Sequence, residues 1–335
     1  MSRIFFSLLA LAASAVAGDY GQISGWRESA LDQLNPKARD AIIQANHNPT
    51  ATRSVAFKPF EKYWGSLAEN SKLRDSEWMW RINISDVSIP DADLEDVDEP
   101  HVASAIYDFQ FTGTNLSEAL DGADGTFCMA TLTSIDLPVE IINKYTDDDD
   151  STDCEPILGK SCIDSLLLAG NGATTISDDG NSCIPPRYFW SELLECSDSI
   201  GKATVFSTLY GDYPLSGVNR QNNATSSPLV SGQGFFVNVS EPLNGSLSDG
   251  YLQSVNRLHV LMINTRIPTD YGFVGGPELH CMRVNATELP ENDADGDGDA
   301  MTSENIRNVG TSITDPFIGC VMGVFLTLVV CLGVL

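Results

Sequence analysis

The chain has 335 residues and carries 46 acidic against 19 basic side chains, a formal net charge of −27 at pH 7. That balance argues against nucleic acid, whose phosphates are gripped by clustered cations, and against an anionic membrane surface. With 42% hydrophobic and 19% charged residues, the composition is that of a folded protein rather than an acidic disordered tail.

Met1 to Arg3 gives a short basic start, Ile4 to Ala13 an apolar run, and Ser14 to Ala17 a set of small residues. Together they read as a secretory signal peptide over residues 1–17, cleaved after Ala17, because the apolar run is too short to span a bilayer. From Glu28 to Asn46 apolar residues recur at helical spacing (Ala30, Leu31, Leu34, Ala38, Ala41, Ile42, Ala45) with Pro36 interrupting them, so two short helices are expected. Glu77 to Ile84 and Val102 to Phe111 alternate and are rich in aromatic and β-branched residues; both read as strands, with an acidic loop from Pro90 to Pro100 between them. Trp78 and Trp80 share one strand face and are expected in the core. Thr126 to Ile135 is a third strand. Pro138 to Tyr145, Cys162 to Ala169 and Arg187 to Cys196 read as short helices, the last entered through Pro185 and Pro186. The β pattern returns at Ala203 to Tyr210, Gly234 to Val239, Arg257 to Asn264 and Leu279 to Val284. The expected fold class is α+β, a mostly antiparallel sheet with a short-helix, disulfide-rich middle.

Cys320 and Cys331 lie in an apolar tail, which leaves Cys128, Cys154, Cys162, Cys183, Cys196 and Cys281. In an oxidising compartment an even set implies three disulfides, and no Cys-x-x-Cys pair suggests zinc instead. Only Cys128 precedes the acidic run Asp147 to Asp150, so full pairing needs a bond across that run. This favours one interlocked ectodomain over residues 18–288, with the Asp run as a solvated loop. The short spacing of Cys154 and Cys162 allows their Cα atoms to come within about 4.4–6.8 Å, which makes them the expected local pair. Asn-x-Ser/Thr sequons begin at Asn83, Asn115, Asn223, Asn238, Asn244 and Asn285, and a glycoprotein would carry each of these asparagines facing solvent.

The segment CMATLTSIDLPVEIINKYTDDDDSTDCEPILGKSCIDSLL, within Cys128 to Leu168, resembles uncharacterised secreted or GPI-anchored cell-surface proteins of filamentous fungi. The likeness lies in its cysteine spacing and in its Leu137-Pro138 and Gly159-Lys160-Ser161-Cys162 elements. It implies a fungal cell-surface setting and carries no catalytic residues.

Motifs for chemistry are sparse. The G-x-S-x-G elbow is absent, since the nearest approach, Ser246 to Gly250, lacks its first glycine. No P-loop or dinucleotide fingerprint occurs. His47, His101, His259 and His280 have no metal-binding spacing and read as surface or core residues. Glu77, Asp86 and Asp108 lie on or beside strands near aromatics and are the candidate carboxylates for glycan hydrolysis, which needs a pair about 5–9 Å apart.

Residues 289–316 form an acidic stretch containing Asp293, Asp295, Asp297, Asp299 and Glu304, with Gly298 at the turn. These fit the D-x-D-x-D-G-x5-E spacing of an EF-hand loop, in which alternate oxygens face one calcium ion. Pro290, which precludes a regular incoming helix, and Ala300 depart from the pattern, and no second hand exists; an acidic stalk is the competing reading. Residues 317–335 are an uncharged apolar run with small residues upstream. They read as a GPI signal, with Ser303, Asn308, Gly310 or Ser312 as the attachment site, or else as a terminal membrane helix.

These features point to a non-enzymatic, GPI-anchored glycoprotein outside the cell, at the outer face of the plasma membrane or in the wall, serving surface organisation, adhesion or ligand binding. Its partners would be the membrane, through its anchor, and a cell-wall glycan or surface protein; calcium is the one candidate cofactor, and nucleic acid is not expected. The alternative is a surface-bound hydrolase acting on glycans through a carboxylate pair.

Overall fold

The computed structural model describes residues 22–289 other than 68, 70, 71, 90–93, 95, 96, 112–125, 134–136, 146–150, 169, 179, 181, 204–206, 215–228, 248, 270 and 271. After a short strand β1 (Ile23–Trp26), the apolar spacing winds into α1 (Arg27–Asp32) and α2 (Pro36–Ala45). Asn35 divides them: its side chain accepts the Ala38 amide at 2.8 Å, and Pro36 occupies the first turn, where an N–H would have no helical partner.

There follow β2 (Ala51–Phe57), β3 (Trp78–Ser88), β4 (Pro100–Phe111) and β5 (Thr126–Thr133), then the short helices α3 (Val139–Ile142), α4 (Glu155–Leu158) and α5 (Lys160–Leu167). Beyond them come the small pair β6 (Thr175–Ile176) and β7 (Cys183–Ile184), then β8 (Ser207–Pro214), β9 (Gly234–Val239) and β10 (Leu243–Asn244). The chain continues through α6 (Asp249–Asn256), β11 (His259–Thr269) and β12 (Gly272–Met282). The helix expected over Arg187–Cys196 is instead a series of 3-10 turns at Trp190–Glu192 and Leu194–Cys196. Trp190 and Cys196 are fully buried there while Leu194 between them is exposed, so the segment has no continuous helical stripe to bury.

One sheet has the order β1-β9-β4-β3-β2, with β10 also on β4; a second has the order β12-β11-β5-β8, and β6 pairs with β7. Every described strand pair is antiparallel. Trp78, Trp80, Ile82 and Ile84 leave one face of β3 at two-residue spacing and meet Phe127 and Met129 of β5 and Leu261 and Ile263 of β11 in a single buried cluster. The Trp78 and Phe127 rings lie 5.2 Å apart, so the two sheets face each other across this core. On its opposite face the first sheet presents Ile106, Val237 and Val239 to Ala30, Leu31 and Ile42 of α1 and α2. The second presents Ala130, Leu132, Val260 and Met262 to Ile141, Leu158 and Leu166 of α3, α4 and α5. The layers are therefore helix, sheet, sheet, helix, and the fold is α+β with a disulfide-rich helical middle. Each large apolar side chain so buried contributes about 1.5–3 kcal/mol.

All six described cysteines are paired: Cys128–Cys183, Cys154–Cys281 and Cys162–Cys196. Cys128 does bond to a later cysteine across the acidic run. The expected Cys154–Cys162 pair is not formed. Residues between them are wound into α4 and the first turn of α5, with Gly159 at φ 75° breaking the two apart, so Cys154 faces β12 and Cys162 faces the turn holding Cys196.

Candidate functional site

β12 is an edge strand of the second sheet, and residues two apart on it share a face. Glu278 and His280 therefore project together. Two segments cross to meet them. The 3-10 turn at Glu61–Ser66, following β2, brings Lys62 over the strand, where its ammonium donates to the Pro277 carbonyl at 3.2 Å and sits 2.9 Å from the Glu278 carboxylate. On the other side, Cys154–Cys281 and a 2.8 Å bond from the Cys281 amide to the Thr152 carbonyl tie Ser151 to Asp153 against β12. That staple places the Thr152 hydroxyl 2.8 Å from His280 Nδ1, and the Phe57 ring packs on the imidazole with centroids 4.2 Å apart.

These residues line a solvent-open cleft of about 830 Å3, with Lys58, Glu61, Glu77, Asp153 and Leu167 also on its walls. The volume falls within the range of about 300–1,000 Å3 usual for small-molecule sites. Burial, aided by the Lys62 charge, pulls His280 down to about 3, so its ring is neutral at any physiological pH. Because the Glu278 carboxylate lies on the Nε2 side of the ring and favours an N–H over a lone pair there, we assign the one ring proton to Nε2, which leaves Nδ1 to accept from the Thr152 hydroxyl. Nε2 lies 3.8 Å from Glu278 Oε2, too far for a direct hydrogen bond, and it is buried with no hydrogen-bond partner among the described residues. Burial also raises Glu278 above the usual carboxylate range, with Lys62 pulling it part of the way back. Four carboxylates and two ammonium groups line the cleft, and Leu279, Pro277 and Phe57 supply apolar wall.

Of the carboxylates singled out in sequence, Glu77 is exposed on this cleft and the other two are committed elsewhere. Asp108 is fully buried and takes two bonds from Arg81 Nε, at 2.9 and 3.2 Å, besides the Arg81 Nη2 contact at 2.8 Å. Asp86 accepts from His101 Nδ1 at 3.0 Å and from the Leu247 amide at 2.8 Å. His259 is buried between the Tyr107 hydroxyl, 2.8 Å from Nδ1, and the Ser254 carbonyl, 3.0 Å from Nε2; His47 is exposed. Among the described residues no group of three or more His, Cys, Asp or Glu is placed to hold a metal ion. Asp293, Asp295, Asp297, Asp299 and Glu304, and the anchor candidates Ser303, Asn308, Gly310 and Ser312, lie outside the described residues.

The sequons divide. Asn83 and Asn238 are only 3% and 6% exposed, contrary to the expectation that every sequon faces solvent. The cause is their position on interior strands: Asn83 accepts from Thr52 at 2.7 Å and donates to Asn46 at 2.9 Å, and Asn238 accepts from Ser24. Asn244 is exposed on β10, Asn285 is half-buried with its amide donating to Asn256 at 2.7 Å, and Asn115 and Asn223 lie outside the described residues.

The cleft residues Lys62, Thr152, Glu278 and His280 do not stand out in the sequence as a group. The local signal is Glu278-Leu279-His280-Cys281, an acid and an imidazole alternating beside a cysteine; Lys62 and Thr152 reach it only through tertiary structure. No family model, curated protein or solved structure matches this chain.

Proposed function

We propose that this protein is a secreted, N-glycosylated ectodomain, held by a GPI anchor at the outer face of the plasma membrane or in the wall, that works by binding a ligand in the β12 cleft. The observation that carries the binding role is the cleft itself, a polar, solvent-open recess whose walls are fixed by an ion pair, a disulfide and an edge strand. Every described cysteine is in a disulfide, so no described thiol is free to act as a nucleophile. The three disulfides suit an oxidising, extracytoplasmic setting. Among the described residues no helix is long and apolar enough to cross a membrane, and the uncharged apolar run of residues 317–335 supports the reading of a signal that the glycolipid replaces.

A second reading, hydrolysis of a glycan, draws on Glu278, a half-buried acid with raised pKa whose cleft also holds Glu77. The two are separated by expressing the full chain in eukaryotic cells. Binding without catalysis predicts surface display, release by a phosphatidylinositol-specific phospholipase and no new reducing ends from soluble glycans. Retention on the cells after phospholipase treatment would overturn the anchor, and steady release of reducing ends would establish the hydrolase.

A further inference from the structure

We infer that the ligand of the β12 cleft is a neutral, hydroxyl-rich glycan, one of whose hydroxyls bridges His280 and Glu278. This names the ligand class of the site proposed above and rests on that binding reading.

The gap between the two side chains selects the group. With its proton assigned to Nε2 the neutral imidazole offers one N–H there, and the Glu278 carboxylate, ion-paired to Lys62, accepts 3.8 Å away. An oxygen bonded to both sits to one side of the 3.8 Å line that joins them, since two hydrogen bonds of about 2.8 Å do not fit along it, and it must accept from the first and donate to the second, which a hydroxyl does and a carbonyl, ether or phosphate oxygen does not. The imidazole is held for this task, since Thr152 fixes its other nitrogen and Phe57 packs on its face. A buried donor left without a partner costs about 1–3 kcal/mol, and a bound hydroxyl removes that cost.

Charge decides between classes of hydroxylated ligand. Glu61, Glu77, Asp153 and Glu278 outnumber Lys58 and Lys62, so a phosphate, sulfate or uronate group meets net repulsion. Lys62 already neutralises Glu278 at 2.9 Å, which leaves no buried unpaired carboxylate to demand a cationic sugar. The remaining exposed acids accept from ordinary hydroxyls. Phe57, half-buried on the face of β12 that carries Glu278 and His280, gives the C–H face of a sugar ring an apolar neighbour beside these polar groups.

The test is calorimetric titration of the full chain, solubilised from expressing cells, with four trisaccharides: β-linked glucose, N-acetylglucosamine, deacetylated glucosamine and galacturonic acid. At least one of the two neutral probes should bind with millimolar or better affinity, and the cationic and anionic ones more weakly. Glu278→Ala should weaken the neutral probe about tenfold or more, and Thr152→Val, which frees the ring, by a smaller factor. Circular dichroism melts confirm that each variant is folded, and the ¹⁵N shift of His280 Nε2 should move on ligand addition in the wild type. No binding of either neutral probe, equal binding by a folded Glu278→Ala chain, or preference for a charged probe would each overturn the inference. Surface display and phospholipase release do not depend on the ligand, so failure here is distinguishable from failure of the anchored-ectodomain reading.

Discussion

His259 and His280 are the two imidazoles the fold keeps away from water, and both are pulled from 6.5 to about 3, chiefly by burial. Between those values the unfolded chain binds a proton on each ring and the folded chain does not, so stability falls as pH drops from about 6.5 toward 3. The slope is about 1.4 kcal/mol per pH unit for each ring. Asp108 and Glu278 oppose this, since their folded pKa values are raised and they favour the folded state as pH falls through those values. Thermal melts should show a lower midpoint at pH 5.5 than at pH 7.5, and His259→Gln, which can still donate to the Ser254 carbonyl, should make the dependence shallower. A midpoint insensitive to pH across that range would contradict the burial of both rings. The sequons also separate at this scale. A glycan on Asn83 would replace the hydrogen that binds Asn46 and force open the contact between β3 and α2, so glycopeptide mapping of folded protein should find Asn244 occupied and Asn83 bare. Sequence supplies the sequon and not the burial, because the partners of Asn83 come from elements 31 and 37 residues away.

The β11–β12 hairpin sets the geometry of the cleft. Its eleven-residue register puts Glu278 opposite Ile263 and His280 opposite Leu261, anchoring the site strand to the core. Gly275 has φ 141°, and a Cβ there would lie 1.9 Å from the Thr265 carbonyl, so Gly275→Ala should destabilise the hairpin by more than the about 1 kcal/mol typical of a point substitution. An unchanged melting midpoint would show that the strand can shift. The Cys154–Cys281 disulfide closes 127 residues and on the chain-entropy model is worth about 4–5 kcal/mol. Its replacement by two alanines should lower stability and also free Thr152 from His280. Strands with an alternating pattern, such as β3 and β4, were legible from residues alone, as was the break at Asn35-Pro36. β1, β2 and α6 were not: β1 is a four-residue strand, and β2 has only one fully buried position, so neither carries a clear alternation. The apolar positions of α6 are few and sit among Ser, Gly and Asn.

Four layers stacked around two facing sheets explain why a chain so acidic still folds: the interior is sealed by Trp78, Trp80, Phe109, Phe127 and Phe236, each at most 1% exposed, and the buried acid Asp108 is paired with Arg81. Trp78→Ala should cost about 3–5 kcal/mol in denaturant unfolding, since the ring contacts both sheets. The class of the fold and the existence of three disulfides follow from composition and parity. The order β1-β9-β4-β3-β2, which sets residue 23 beside residue 239, and the cleft that depends on such long-range pairing do not, because no local pattern encodes which distant strands meet. The proposed function places ligand binding in the β12 cleft. Hydrogen–deuterium exchange on the full chain, with and without a saturating neutral trisaccharide, tests it most directly. Added protection is expected at residues 57–62, 151–153 and 277–280, with little change elsewhere; protection confined to another face, with these three segments unchanged, would contradict binding in this cleft.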